Sequence, residues 1–160
     1  MCNLAGALVN LNDFSNRPAR VLEPEARLAT GERRFRFVST PHLPHGRDAG
    51  MLFEETGGTL FCSGLFHLVG RPEPLTSGDI PGRARQALAS CQRSPFAGYV
   101  PYRDETGRQL YRLAELRPDT LAVMHVSRFQ GGCAPALRGL AEVFRELLGE
   151  PAASAPAARG

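Results

Sequence analysis

Residues 40–66, TPHLPHGRDAGMLFEETGGTLFCSGLF, constrain the fold more than any other stretch of this chain. Two apolar, β-rich runs, residues 50–55 and 59–63, are separated by the turn formers Gly57 and Gly58, which is the pattern of a β-hairpin. Ahead of the hairpin lies a Pro-punctuated loop carrying His42 and His45. Neutral imidazole is a common metal ligand and the side chain that titrates near neutrality, so a loop rich in it at the mouth of a hairpin suits a metal or proton-transfer site.

The rest of the chain is read around that hairpin. Residues 2–10 are apolar and are expected to form a strand, ended by the turn formers Asn12, Asp13, Asn16 and Pro18. Residues 21–28 and 33–39 flank Thr30-Gly31, and the second run alternates polar with apolar, so a second hairpin should lead into the His42 loop. Residues 70–78, with Pro72, Pro74 and Gly78, are expected to be irregular. Helices are expected over residues 79–92, capped by Ser77 or Asp79, and over 105–116, with Leu110, Tyr111, Leu113 and Ala114 toward the core. A strand over 120–124 and a helix over 135–148 follow, the latter with Leu137, Leu140, Ala141, Phe144, Leu147 and Leu148 at helical spacing. Residues 150–160, EPAASAPAARG, hold nothing large to bury and are expected to be disordered, leaving 1–149 as one α+β domain.

Composition narrows the function classes. The chain has 160 residues, 42% of them hydrophobic, enough for one core. All 19 basic residues are arginine, and with 16 acidic residues the net charge is +3, spread along the chain. A nucleic-acid footprint would need a basic stripe with interleaved aromatics, so no nucleic-acid partner is expected. Cys2, Cys62, Cys91 and Cys133 form no C-x-x-C pair, which argues against a zinc ribbon or thioredoxin-type site and for free thiols in a reducing cytosol. No run of about 18 apolar residues and no signal-peptide pattern is present, so neither membrane association nor export is expected, and the chain is read as cytoplasmic.

The order of TPHLPH, an apolar hairpin, CSGLF and a later MHVSRF resembles the metallo-β-lactamase superfamily, most closely its flavodiiron-like, oxygen-binding di-iron branch. The resemblance covers most of residues 10–148 and implies an α+β fold: the C-terminal half of an αββα sandwich, with antiparallel hairpins and a late strand flanked by helices. It implies that His42 and His125 occupy metal-ligand positions; His45, three residues after His42, reads more simply as an exposed loop histidine than as a substitute ligand, though it can lie near the same pocket. The residue between Ser63 and Leu65 is an aspartate bridging both metals in that family, and here it is Gly64, which has no side chain to ligate. The family's first metal motif, His-x-[His or Glu]-x-Asp-His, has no counterpart, since none of the four histidines precedes His42.

From these departures the resemblance implies a truncated or degenerate member with an incomplete site. Its complete relatives bind two irons and dioxygen or, in hydrolase branches, zinc and a hydroxide nucleophile. Iron or zinc is the metal implied, held weakly or not at all by the isolated chain, because a two-metal site needs several converging ligands. A half sandwich would also expose a sheet face and edge, which points to a homodimer or a complementary N-terminal-half chain. Two other readings stay open: an enzyme completed by such a partner, and a non-catalytic interaction module.

The other polar residues read more plainly. Asp48 is placed in the loop as a group that orients the His42 region. His67 is read as structural, and Glu54-Glu55 as a solvated strand edge. On residues alone, His42 reads better as a loop histidine satisfied by water or a backbone carbonyl, and a satisfied core histidine is the rival reading of His125.

Overall fold

The structure, a computed structural model, describes residues 2–11, 15–70, 73–124 and 126–149. It opens with a helical turn, α1 (Leu4–Gly6), that runs into a π-helical turn over Ala7–Leu11. The strand expected over residues 2–10 is therefore corrected. Asn3 caps the turn, its Oδ1 accepting from the Gly6 N–H at 2.8 Å, and the Ala7 N–H reaches the Asn3 carbonyl at 3.0 Å. A short apolar run suits strand and helix alike, and here the cap decides. Cys2 makes one isolated parallel bridge to Val21.

Strands β1 (Arg27–Thr30) and β2 (Arg33–Ser39) form the first hairpin, closed by Gly31 at φ 59°. β1 starts later than the expected run over 21–28, because Glu25 takes φ 65° and Ala26 N–H bonds the Glu23 carbonyl, a turn where a strand was expected. The central hairpin is β3 (Gly50–Glu54) and β4 (Thr59–Phe61), with Gly58 at φ 63° in its turn. Glu54 is no solvated edge: it is buried and accepts from the Thr56 and Gly57 N–H groups at 2.8 Å and from Arg33 at 3.2 Å. Its carboxylate closes the hairpin.

After the hairpin, the two-residue strand β5 (Leu75–Thr76) lies in the stretch expected to be irregular. Helix α2 (Ile80–Cys91) is capped by Asp79, whose Oδ1 accepts from the Gly82 N–H at 2.9 Å. Helix α3 (Asp104–Glu115), strand β6 (Thr120–Ala122), strand β7 (Arg128–Gln130) and helix α4 (Cys133–Leu148) complete the order. β7 has no counterpart in the expectations. Tyr111 was expected in the core and is 40% exposed, its hydroxyl donating to Glu142 at 2.7 Å across to α4.

The seven strands form one sheet in the order β1-β2-β3-β4-β6-β7-β5. The first four are antiparallel neighbours, β4 and β6 are parallel, and β6–β7 is antiparallel. This is the mixed α+β sheet with flanking helices expected from the sequence.

One face of the sheet carries Val38, Met51, Phe53, Leu60, Leu121 and Phe129, which join buried residues of all three long helices in a single core. Burying one such side chain stabilises by about 1.5–3 kcal/mol, so this layer is the fold's main support. On the opposite face the register aligns Phe37 with Leu52 and Leu52 with Phe61. Leu22 is buried near Phe37, but Phe61 remains 45% exposed. Residues 150–160 lie outside the described residues. Among the described residues no helix is long and apolar enough to cross a membrane.

Candidate functional site

The loop between β2 and β3 is held by hydrogen bonds within itself and by one from α3. Thr40 is buried, and its Oγ1 donates to the Leu43 carbonyl at 3.0 Å; Leu43 is itself fully in the core. His42 takes φ 65° and its N–H bonds the Gly46 carbonyl at 2.7 Å, curling the chain back on itself. Outside the loop, Gln109 of α3 donates its Nε2 to the Pro41 carbonyl at 3.2 Å. A positive φ at a non-glycine residue needs surrounding structure to hold it, and these bonds supply it.

The curl sends the two histidines into different cavities. His45 lines a cavity of about 440 Å³ together with Ser63, Gly64, His67, Tyr99 and Met124. Ser63, at φ 50°, is the second strained residue of the region, and its carbonyl accepts from the Met124 N–H at 2.8 Å, which joins the β4 exit to the β6 exit. The His45 and Tyr99 rings lie 5.0 Å apart, and His67 meets the same tyrosine edge-on at 6.4 Å. The Nδ1 of His67 is buried with no hydrogen-bond partner. Burial, and secondarily the charge of His45, pushes the His67 imidazole below its ordinary pKa and so keeps it neutral. Gly64 stands in the cavity wall, and a Cβ built on it meets nothing within 4 Å.

His42 lines a second cavity, of about 320 Å³, with Arg47, Arg103, Glu105, Thr106 and Gln109. Its imidazole is also held below the ordinary range, by burial first and then by the positive charges of Arg103 and Arg47. A neutral imidazole is competent to ligate, yet two guanidinium groups beside it oppose a metal cation.

The structure thus brings together His45 and Gly64 of the residues singled out from the sequence, and it sets His42 apart from them. Asp48 belongs to neither cavity: it lines a third one with Cys2, Asn3 and Leu22 on the far face of the sheet, near Gly6 and Gly46. His125 lies outside the described residues. His67, Tyr99, Arg103 and Gln109 come from other elements, and motif spacing gave no sign that they would meet the loop.

Iron, the metal implied by the resemblance, does not fit the described residues. Among them no group of three or more His, Cys, Asp and Glu side chains is placed to hold a metal ion. The cavity at Gly64 offers two imidazoles, the hydroxyls of Ser63 and Tyr99 and a thioether, whereas a hard iron pair calls for carboxylate oxygens.

No protein-family model matches the sequence, and no curated protein matches it significantly. Solved structures do. The metal-soaked flavodiiron core from Synechocystis superposes with a TM-score of 0.65 at 19% identity, over 91% of this chain and 36% of that one. A flavo di-iron protein variant from Thermotoga maritima gives 0.62 at 17%, over 88% and 34%. Rubredoxin oxygen:oxidoreductase from Desulfovibrio gigas gives 0.61 at 17%, over 81% and 33%. The chain spans about a third of the length of these structures, and over that third it has the fold of the flavodiiron proteins.

Proposed function

We propose that this chain is a metallo-β-lactamase-fold protein of the di-iron type whose metal site is incomplete, so that the polypeptide alone neither retains metal tightly nor turns over a substrate. The observation that carries this reading is Gly64. It occupies the wall of the cavity that His45 and His67 line, with open space ahead of its Cα where a bridging carboxylate would project. In this reading His45, which lines the cavity of Gly64, rather than His42, which lines another, is the loop histidine that shares a metal with a residue at position 64. His125 is retained in this reading as the ligand position implied by the late motif. The missing ligands would come from a second copy or from a separate chain supplying the other part of the sandwich, which the half-open sheet face around Phe61 would meet.

What the residues present can do by themselves is limited to binding and proton handling. His67 and His45 can each accept a proton from a group bound in the cavity, and Tyr99 offers a ring face and a hydroxyl. Ser63 adds a hydroxyl to the same lining, with its Oγ 3.6 Å from the Met124 sulfur.

The test is elemental analysis of the chain and of its Gly64→Asp variant, both purified without chelators or a histidine tag and then exposed to ferrous or zinc ions. The expected outcome is metal well below one equivalent in the natural sequence and a clear gain in Gly64→Asp. Full occupancy in the natural sequence would sink the incomplete-site reading. Equal, negligible occupancy in both would show that position 64 is not a ligand position.

A further inference from the structure

We propose that the cavity between the 41–47 loop and the first turn of α3 binds an oxyanion of the phosphate class, gripped by Arg47 and Arg103. The cavity's volume, about 320 Å³, admits a phosphate group with waters or with a small organic remainder. Arg47 stands on the loop side and Arg103 immediately ahead of α3, so the two cations reach the same space from different elements.

Their charge is available. None of the ion pairs formed among the described residues includes Arg47 or Arg103, although many other arginines of the chain are paired. Of the lining residues only Glu105 is acidic, and its Oε1 is engaged by Arg108 at 3.0 Å. The cavity therefore carries an uncompensated positive charge. Two guanidinium groups facing one space repel a metal cation and attract an anion, and their forked N–H groups match the paired oxygens of a tetrahedral oxyanion.

The walls are built rather than incidental. The loop is fastened to α3 by the Gln109–Pro41 bond at 3.2 Å and folded on itself by the His42–Gly46 bond at 2.7 Å. On the other wall, the Arg103 N–H is held by Thr106 Oγ1 at 3.0 Å, which fixes the backbone that carries the guanidinium. Such fixation lowers the ordering cost of binding. The site uses neither Gly64 nor the cavity of His45, so this inference and the incomplete-metal-site reading stand or fall separately.

Titration calorimetry of the full chain at low ionic strength tests it, with inorganic phosphate as the probe and glycerol 3-phosphate as a monoester. A saturable single-site isotherm is expected, weakened about tenfold or more by either Arg47→Gln or Arg103→Gln, the loss typical of a charge-assisted contact. Both residues are exposed and lie on separate elements, so a folding defect in one variant leaves the other as the test. Arg93→Gln, an exposed arginine outside the cavity, should leave binding unchanged. Tighter binding of the monoester would assign the site to an esterified phosphate and equal binding to the free oxyanion, and both support the proposal. No saturable heat, or binding lost equally in Arg93→Gln, would overturn it.

Discussion

The loop over residues 40–47 has two sides that differ in charge although they come from one motif. On the side of β4 and β6, His45 meets His67, Tyr99 and the bare backbone of Gly64, in a cavity without an arginine. On the side of α3, His42 meets Arg47 and Arg103. Only Leu43 and Pro44 separate the histidines in sequence, and with the chain curled at the positive φ of His42 the two face separate environments. Proximity in a motif is therefore no guide to convergence. The side chains that could act together here are ones brought from distant segments, such as His45 with His67.

The largest effect should come from removing what holds both sides. Leu43→Ala takes a fully buried side chain out of the core beneath the loop and should cost about 2–4 kcal/mol in denaturant unfolding. Both cavities should loosen together; if only one set of ring resonances shifts, the two sides are not supported by a common anchor.

Thr40→Val should cost less, about 1 kcal/mol, because the Leu43 carbonyl loses its buried donor while the shape of the side chain is kept. His67→Phe sharpens the comparison from the other direction. It replaces a buried, unpartnered ring nitrogen with carbon, so stability should be unchanged or rise by up to about 1 kcal/mol. A loss of more than that in thermal or urea unfolding would mean that His67 has a partner that matters.

The smallest effect is electrostatic and separates the two histidines by cause. Both are held below the ordinary imidazole range, so the folded protein binds fewer protons than the unfolded chain as pH falls through about 6.5. Stability from these groups is fully present above that value and declines below it, toward the lowered folded pKa. In the Arg47→Gln/Arg103→Gln double variant, NMR titration should show the His42 pKa rising and that of His67 staying in place, since only His42 feels those charges. Movement of both would undo the separation.

Much of the architecture was legible because strong local signals agreed. The Gly57-Gly58 turn fixed the central hairpin, and the three long helices follow their apolar spacing to within two residues at most ends. What was illegible lacked such a signal. β7 is three residues long with one buried side chain, Phe129, too short to show alternation. The opening apolar run took a helical turn because Asn3 caps it, a local bond that periodicity does not report. At the site, the importance of Gly64 came from the resemblance and the structure places it at a cavity wall. That His45 rather than His42 shares that wall goes with the left-handed backbone at His42, and no residue pattern announces a left-handed histidine.

The most direct test of the account is metal uptake by Gly64→Asp combined with loss of each loop histidine in turn. The account predicts that Gly64→Asp gains zinc or iron by elemental analysis, that adding His45→Ala abolishes the gain, and that adding His42→Ala leaves it intact. Retention without His45 together with loss without His42 would contradict it.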